Sequence, residues 1–332
     1  MRIFVTQPIP ESALARLRAV AEVDVYPDSR QILPKDELRA AVRTHDILFA
    51  LLHDTIDAEV LTANPELKAV TTMSAGGDRV DVAKATALGI PVTVIPAVAV
   101  SEATADLHFG LMLAVARRIV EGDKLVRAGF FPGAQSNHLV GARFWGKVLG
   151  LIGGKGRIGQ AVARRAHGFG MRILYCGPHR LAEADESKLG MTYVPLDELL
   201  AESDFVSVHP ALRPETRHLI GERELGLMKR TAFLVNTSRG PILDEKALAK
   251  ALTEKRIAGA ALDVYEREPV VEPALLPLDN VVLTPHLGSA VSEVRDTVAN
   301  IVVDNILAIL EGRLPPNCIN PEVYARRAGV AD

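Results

Sequence analysis

Residues 147–177, KVLGLIGGKGRIGQAVARRAHGFGMRILYCG, constrain the fold of this chain more than any other stretch. The apolar run at 148–152 predicts a buried strand. It stops at Gly153-Gly154-Lys155-Gly156, and Ile158, Val162 and Phe169 near one face predict a helix over 157–167. A second strand is predicted at 171–176. Gly154, Gly156 and Gly159 therefore satisfy G-x-G-x-x-G between a strand and a helix, the context that gives the pattern its meaning. Glycines there let the chain turn tightly, let backbone approach a pyrophosphate and let helix and strand pack closely. The helix N-terminus adds free N–H groups and a positive dipole end for the phosphates. The competing reading is an ordinary glycine-rich strand–helix turn, and the strand that follows the helix weighs against it.

Composition bounds the rest. At 332 residues the chain is long for one core, so two domains are expected. Hydrophobic residues at 48% and charged residues at 24% are ordinary for a globular protein, and a net charge of -3 leaves no basic footprint for nucleic acid. The two cysteines, Cys176 and Cys318, form no CxxC. That excludes a disulfide framework and a cysteine-rich metal site, and fits a reducing compartment. No metal is expected. The N-terminal apolar run is only Ile3 to Val5, too short for a signal peptide, and no stretch is expected to cross a bilayer. The expectation is a soluble, cytoplasmic protein without membrane or nucleic-acid partners.

Along the chain, strands are predicted at 3–5, 23–25, 46–51, 67–71 and 90–94, separated by helices near 10–20, 35–44, 58–63 and 80–88. This alternation implies a parallel sheet covered on both faces. One long helix is predicted over 101–120, capped by Ser101, with Leu107, Leu111 and Val115 at four-residue steps. Residues 129–146 read as a long connection; its Phe130, Phe131, Phe144 and Trp145 suit core packing better than a partner surface. From 147 the rhythm restarts, with strands near 147–152, 171–176, 191–194, 204–208, 231–235, 258–263 and 280–284, and helices at 244–254 and 289–311. The predicted class is α/β, with two doubly wound parallel sheets.

In parallel sheets, ligands lie beyond the carboxyl ends of the strands. Polar residues follow four predicted strands: Ser74-Ala75-Gly76-Gly77, Asn236-Thr237-Ser238-Arg239-Gly240, the run from Asp263 to Glu268, and Thr284-Pro285-His286-Leu287-Gly288-Ser289. They supply a cation, a carboxylate and an imidazole, which suits hydride transfer to a 2-keto acid. A guanidinium grips a carboxylate with two parallel hydrogen bonds. An imidazolium protonates a carbonyl oxygen as hydride arrives, and a carboxylate beside it favours the charged form and fixes its orientation. The chain has 9 histidines, so a single one at a strand end is more often structural.

These motifs carry a family resemblance. SAGGDRVDV (74–82), EATADL (102–107), GRIGQAVA (156–163), PETRHLIG (214–221), NTSRGPILDEKAL (236–248), GAALDVYEREP (259–269) and TPHLGSA (284–290) span almost the whole chain. In that order they resemble the D-isomer-specific 2-hydroxyacid dehydrogenases, nearest to glyoxylate/hydroxypyruvate reductases and 2-ketogluconate reductases. The resemblance implies a Rossmann cofactor domain over 101–287 and a discontinuous, flavodoxin-like substrate domain from 1–100 and 288–332. It puts the catalytic arginine on Arg239, the glutamate on Glu268 (with Glu266 a solvated neighbour) and the acid/base histidine on His286. It puts substrate contacts on Ala75, Gly76, Arg239 and Ser289. Cofactor contacts fall on Thr104, Thr237 and Asp263 by the resemblance, on Gly154, Gly156, Arg157, Ile158 and Gly159 by the glycine fingerprint, and on His179, Arg180 and His209 at positions that depart from the family pattern; the assembly the resemblance implies is a homodimer.

Three positions depart from the family pattern. The glycine turn carries one extra residue. HPAL (209–212) stands where relatives usually have proline one place later, which bears on the adenine-side wall. The acidic residue expected at the end of the second strand is replaced by Gly177, with His179 and Arg180 beside it. A carboxylate there would accept from the ribose hydroxyls and repel a 2′-phosphate, so its absence predicts that NADP(H) is preferred and NAD(H) also admitted. The acids that follow, Glu183 and Asp185, are expected on a solvated helix start. The small loop 74–77 suits glyoxylate or hydroxypyruvate, with His286 as proton donor. The alternatives are a sugar-acid reductase of the 2-ketogluconate type and a nucleotide-sensing regulatory protein of the same fold. The chain's end at Asp332, without a long interaction tail, favours the enzyme.

Overall fold

The computed structural model describes residues 1–327; residues 328–332, and with them the expectation about the chain's end, lie outside the described residues. The chain divides into two compact units, Met1–Val100 together with the segment from Ala290, and Ser101–Ser289.

In the first unit, β1 (Arg2–Val5), β2 (Glu22–Val25), β3 (Ile47–Ala50), β4 (Ala69–Thr72) and β5 (Val92–Thr93) pair in parallel in the order β2-β1-β3-β4-β5. This is the flavodoxin-like order. Every residue of β3 and β4 is buried, as central parallel strands covered on both faces require. Ile3, Phe49 and Ala69 pack with Val298, Val302 and Ile306 of the helix Ser292–Leu310 on one face. Leu48, Val70 and Val92 pack with Leu38 and Val60 on the other. Burying side chains of this size stabilises by about 1.5–3 kcal/mol each. The Ser292–Leu310 helix is tied to the helix Glu11–Arg18 by Arg16, which donates to Asn300 at 2.8 Å and pairs with Asp304 at 2.6 Å. Buried Asn320 then docks the following segment beside β5, accepting from the Val92 amide at 2.7 Å and donating to the Ile90 carbonyl at 2.9 Å.

In the second unit, β6 (Val148–Ile152), β7 (Arg172–Cys176), β8 (Met191–Tyr193), β9 (Phe205–Val208), β10 (Phe233–Asn236), β11 (Gly259–Leu262) and β12 (Val281–Leu283) form a parallel sheet. Its order is β12-β11-β10-β9-β6-β7-β8, so the winding reverses between β6 and β9. A crevice beyond the carboxyl ends at such a reversal is where a doubly wound sheet takes its ligand. Stacked rings of Phe144 on Phe205 (4.7 Å) and Phe205 on Phe233 (5.5 Å) fill one face.

Four local expectations are corrected. The helix expected over 101–120 begins earlier, at Val98, and ends at Ala116, so Ser101 lies inside it rather than at its cap. A second helix, Ile119–Arg127, follows a left-handed Arg118 (φ 53°), a turn that side-chain periodicity does not register. Val98–Ala116 is also long and apolar enough, by length and composition, to cross a membrane, contrary to expectation. Here Phe109, Met112, Val115 and Ala116 of that helix are core residues, and Glu102 and Asp106 pair with Arg165 at 2.8 and 2.7 Å. Finally, of the four aromatics expected in the core only Phe144 is buried; Phe130, Phe131 and Trp145 are exposed.

Candidate active site

The carboxyl ends of β6, β7, β9, β10, β11 and β12 share one edge of the second unit's sheet, and the candidate residues sit there. At the end of β6, Gly153 has a φ of 79°, which is left-handed. A Cβ at Gly153 would lie 2.7 Å from the Pro210 nitrogen, so only glycine fits against the His209–Pro210 backbone. Gly154 and Gly159 are packing glycines: a Cβ at Gly154 would stand 2.6 Å from Tyr175 Cβ, and one at Gly159 would stand 2.7 Å from Gly154 Cα. Gly156 is the N-cap of the helix Arg157–Gly168 and brings no capping side chain. The amides of Arg157, Ile158 and Gly159 thus lack intrahelical acceptors, the first turn carries no acid, and the turn fits a dinucleotide pyrophosphate.

Past β7, Gly177 leaves open space: a Cβ there would meet nothing within 4 Å. Tyr193 donates its hydroxyl to the Gly177 carbonyl at 2.9 Å. His179 and Arg180 follow, both exposed. The Arg180 guanidinium is held in two parallel bonds by Glu186, Nε to Oε1 at 2.8 Å and Nη2 to Oε2 at 2.7 Å. Glu186 also accepts the hydroxyl of buried Tyr175 at 2.5 Å. These donors, Arg180 first, hold the Glu186 carboxyl down to about 2, while burial above all pushes the Tyr175 phenol up to about 12. Glu183 and Asp185 are exposed on the helix Glu183–Leu189, whereas Glu186 on the same helix is turned inward.

At the end of β9, His209 is buried, and neither ring nitrogen has a partner among the described residues. Its ring lies 4.8 Å from that of His108. His108, which sequence reasoning missed, is wholly buried in the helix Val98–Ala116. It bonds Ser207 Oγ at 2.6 Å and Thr237 Oγ1 at 3.1 Å, linking that helix to β9 and β10. Burial pushes the His209 imidazole down to about 3 and His108 well down too, the latter helped by His209. A histidine in an otherwise apolar helical stretch was the available signal for it.

Thr237 and Arg239 leave β10. Ser238 fixes their loop by donating its hydroxyl to the Pro210 carbonyl at 2.5 Å, and the Arg239 Nη1 donates to the Ser238 carbonyl at 2.9 Å. Gly240 brings this loop against the next one: a Cβ there would lie 1.8 Å from the Tyr265 carbonyl carbon. On that second loop Glu268 receives the Tyr265 amide on Oε1 at 3.1 Å and faces His286 Nδ1 with Oε2 at 3.1 Å. The two side chains are largely buried, 7% exposed for Glu268 and 17% for His286, so their charges act through little water. Glu266 is not solvated as expected: its side chain is only 17% exposed and pairs with His218, and with Arg217 at 3.9 Å.

His286 itself has a φ of 55°, an uncommon conformation for a side-chain-bearing residue. Asp263 holds that turn. Its carbonyl accepts the His286 amide at 2.9 Å. Its carboxylate accepts Thr284 Oγ1 and the Leu287 amide at 2.7 Å and the Gly288 amide at 2.9 Å. Burial pushes the Asp263 carboxyl up, and these donors with His286 oppose it. Thr104 donates to the Gly288 carbonyl at 3.2 Å, and Ser289 follows half-buried. Glu268 and His286 are therefore in direct contact, and Arg239 is tied to their loop through the Gly240–Tyr265 approach. Ala75 and Gly76 belong to the first unit, in the turn after β4, where the Gly76 amide donates to Ser74 Oγ at 3.3 Å.

Residues 109–288 match the family described as "D-isomer specific 2-hydroxyacid dehydrogenase, NAD binding domain". A glyoxylate reductase of Korarchaeum cryptofilum is 49% identical over 328 residues, 98% of each chain. A crystal structure of a Thermus thermophilus protein superposes with a TM-score of 0.88 at 43% identity, over 96% of this chain and 100% of that one. An NADPH-dependent glyoxylate/hydroxypyruvate reductase of Sinorhizobium meliloti, solved with NADP and malonate, gives 0.79 at 31% identity, over 96% of this chain and 97% of that one.

Proposed function

The chain belongs to the D-isomer-specific 2-hydroxyacid dehydrogenases and is an NAD(P)H-dependent reductase of 2-keto acids, and from that premise we propose that it reduces glyoxylate or hydroxypyruvate to the D-2-hydroxy acid, preferring NADPH. The observation that carries the chemistry is the Glu268–His286 contact at 3.1 Å, at the sheet edge where the glycine turn also lies. When bound, the nicotinamide supplies the hydride. His286 offers its Nε2–H to the substrate carbonyl oxygen, while Glu268 holds Nδ1 and stabilises the imidazolium before the proton leaves. Arg239 binds the substrate carboxylate and polarises its carbonyl. Asp263 positions His286 through the turn it braces, and the amides of Arg157, Ile158 and Gly159 receive the pyrophosphate. Thr104, Thr237 and His209 line the remaining cofactor contacts. In the first unit, the small turn at Ala75 and Gly76 is a carboxylate-binding turn.

The relatives that carry the name glyoxylate reductase support the substrate, and the missing carboxylate at Gly177 supports NADPH. Exposed Phe130, Phe131, Val140 and Trp145, all on the one connection, support a homodimer formed through that segment, since large apolar side chains left in water favour a partner surface. The deciding experiment is steady-state turnover of a panel of 2-keto acids with NADH and NADPH. The expected result is the highest kcat/KM for glyoxylate or hydroxypyruvate with NADPH; preference for a larger sugar-derived acid, or for NADH, overturns the corresponding half of the reading.

A further inference from the structure

The NADPH reading assigns the 2′-phosphate to the region after β7 but leaves open which cation receives it. Arg180 is the obvious residue, and the geometry argues against it as the principal one. Its guanidinium is spanned by both oxygens of Glu186, and Glu183 also acts on its charge. A bidentate pair presents a dipole, whose pull on an approaching dianion decays faster with distance than that of a lone charge. Lys155 is differently placed. It occupies the glycine turn, exposed to solvent, and its Nζ reaches across to the carbonyl of Arg180 at 3.3 Å. That bond to a neutral oxygen leaves the ammonium its full charge and two further N–H donors, and Lys155 forms no salt bridge among the described residues. The open volume at Gly177 lies between its two anchor segments in sequence, the turn at 153–156 and residue 180.

We propose that Lys155 is the principal receptor of the adenosine 2′-phosphate, and that the Glu186-braced Arg180 is an oriented second donor through Nη1. This rests on the NADPH reading above and names the residue that sets it. The extra residue in the turn then acquires a role: with Gly153 left-handed, the turn is long enough to carry a lysine over the segment that follows β7.

Isothermal titration of adenosine 2′,5′-bisphosphate and of 5′-AMP into the full-length protein tests it without turnover. Wild type binds the bisphosphate more tightly. Lys155→Ala is expected to weaken the bisphosphate about 10–100-fold while changing 5′-AMP less than about 3-fold, Lys155→Arg to restore most of the loss, and Arg180→Ala to cost less than Lys155→Ala. If Lys155→Ala leaves the ratio of the two affinities unchanged while Arg180→Ala collapses it, the assignment to Lys155 is wrong and the NADPH reading stands. If wild type does not favour the bisphosphate, both fall.

Discussion

The buried histidine pair makes a prediction whose size follows from its surroundings. In the folded protein His209 titrates at about 3 because burial disfavours its cation, and His108 is depressed by the same cause. In the unfolded chain both return to about 6.5. Below that value the unfolded state binds more protons than the folded one, so acid destabilises the fold. The stability is present in full above pH 6.5 and is lost progressively as the pH falls towards the folded values. For His209 alone, linkage between pH 7 and pH 5 amounts to about 2 kcal/mol, and His108 adds a loss of the same sign. The clean measurement is a difference: urea unfolding of wild type and His209→Leu at both pH values, followed by circular dichroism. Leucine cannot titrate and replaces two ring nitrogens without partners among the described residues, so the variant should be nearly as stable as wild type at pH 7, or more so. Between pH 7 and pH 5 wild type should lose about 2 kcal/mol more than the variant, roughly 1 M in urea midpoint for a slope near 2 kcal/mol/M. Carboxylates common to both proteins cancel in this comparison. Equal losses would mean that His209 is charged or solvated in the folded state, and the description of this pair would be wrong.

Other outcomes follow from the site. His286→Ala should lower kcat by about 10²–10⁴ and leave NADPH affinity, read by nucleotide fluorescence, within about 2-fold; near-normal turnover removes His286 from the mechanism. Asp263→Asn turns an NH2 towards the Leu287 or Gly288 amide, so thermal unfolding should report a loss of about 1–3 kcal/mol together with reduced kcat, and an unchanged melting temperature counts against Asp263 as the brace of the His286 turn. Gly154→Ala should cost about 1–3 kcal/mol and nucleotide binding, because its Cβ would meet Tyr175 at 2.6 Å, whereas Gly177→Ala enters open space and should be nearly neutral to stability. Equal effects of the two alanines would contradict the packing described at the turn.

Much of the architecture was legible because it depends on short-range pattern. Most central strands are short apolar runs, many turns are marked by glycine or a polar cluster, and the alternation of strand and helix admits few topologies beyond parallel doubly wound sheets. The candidate site was legible for a related reason: chemistry in such folds gathers at the carboxyl ends of strands, and Arg239, Glu268 and His286 could be sought there. The break at Arg118 was not legible, since no glycine or proline marks it and only the left-handed backbone dihedral turns the chain there. Nor was the exposure of Phe130, Phe131 and Trp145, because aromatic composition looks the same for a core and for a surface awaiting a partner.

By itself, the sequence determined the class of fold, the dinucleotide turn and the residue types available for hydride chemistry, all of which reside in local pattern and spacing. Tertiary structure alone decided which charges are spoken for. It turned Glu186 inward onto Arg180, sent Glu266 to His218 and Glu268 to His286, and buried His108 between Ser207 and Thr237. Such pairings join residues from different elements, and they depend on burial and on ångström-scale distances. Spacing along the chain carries neither.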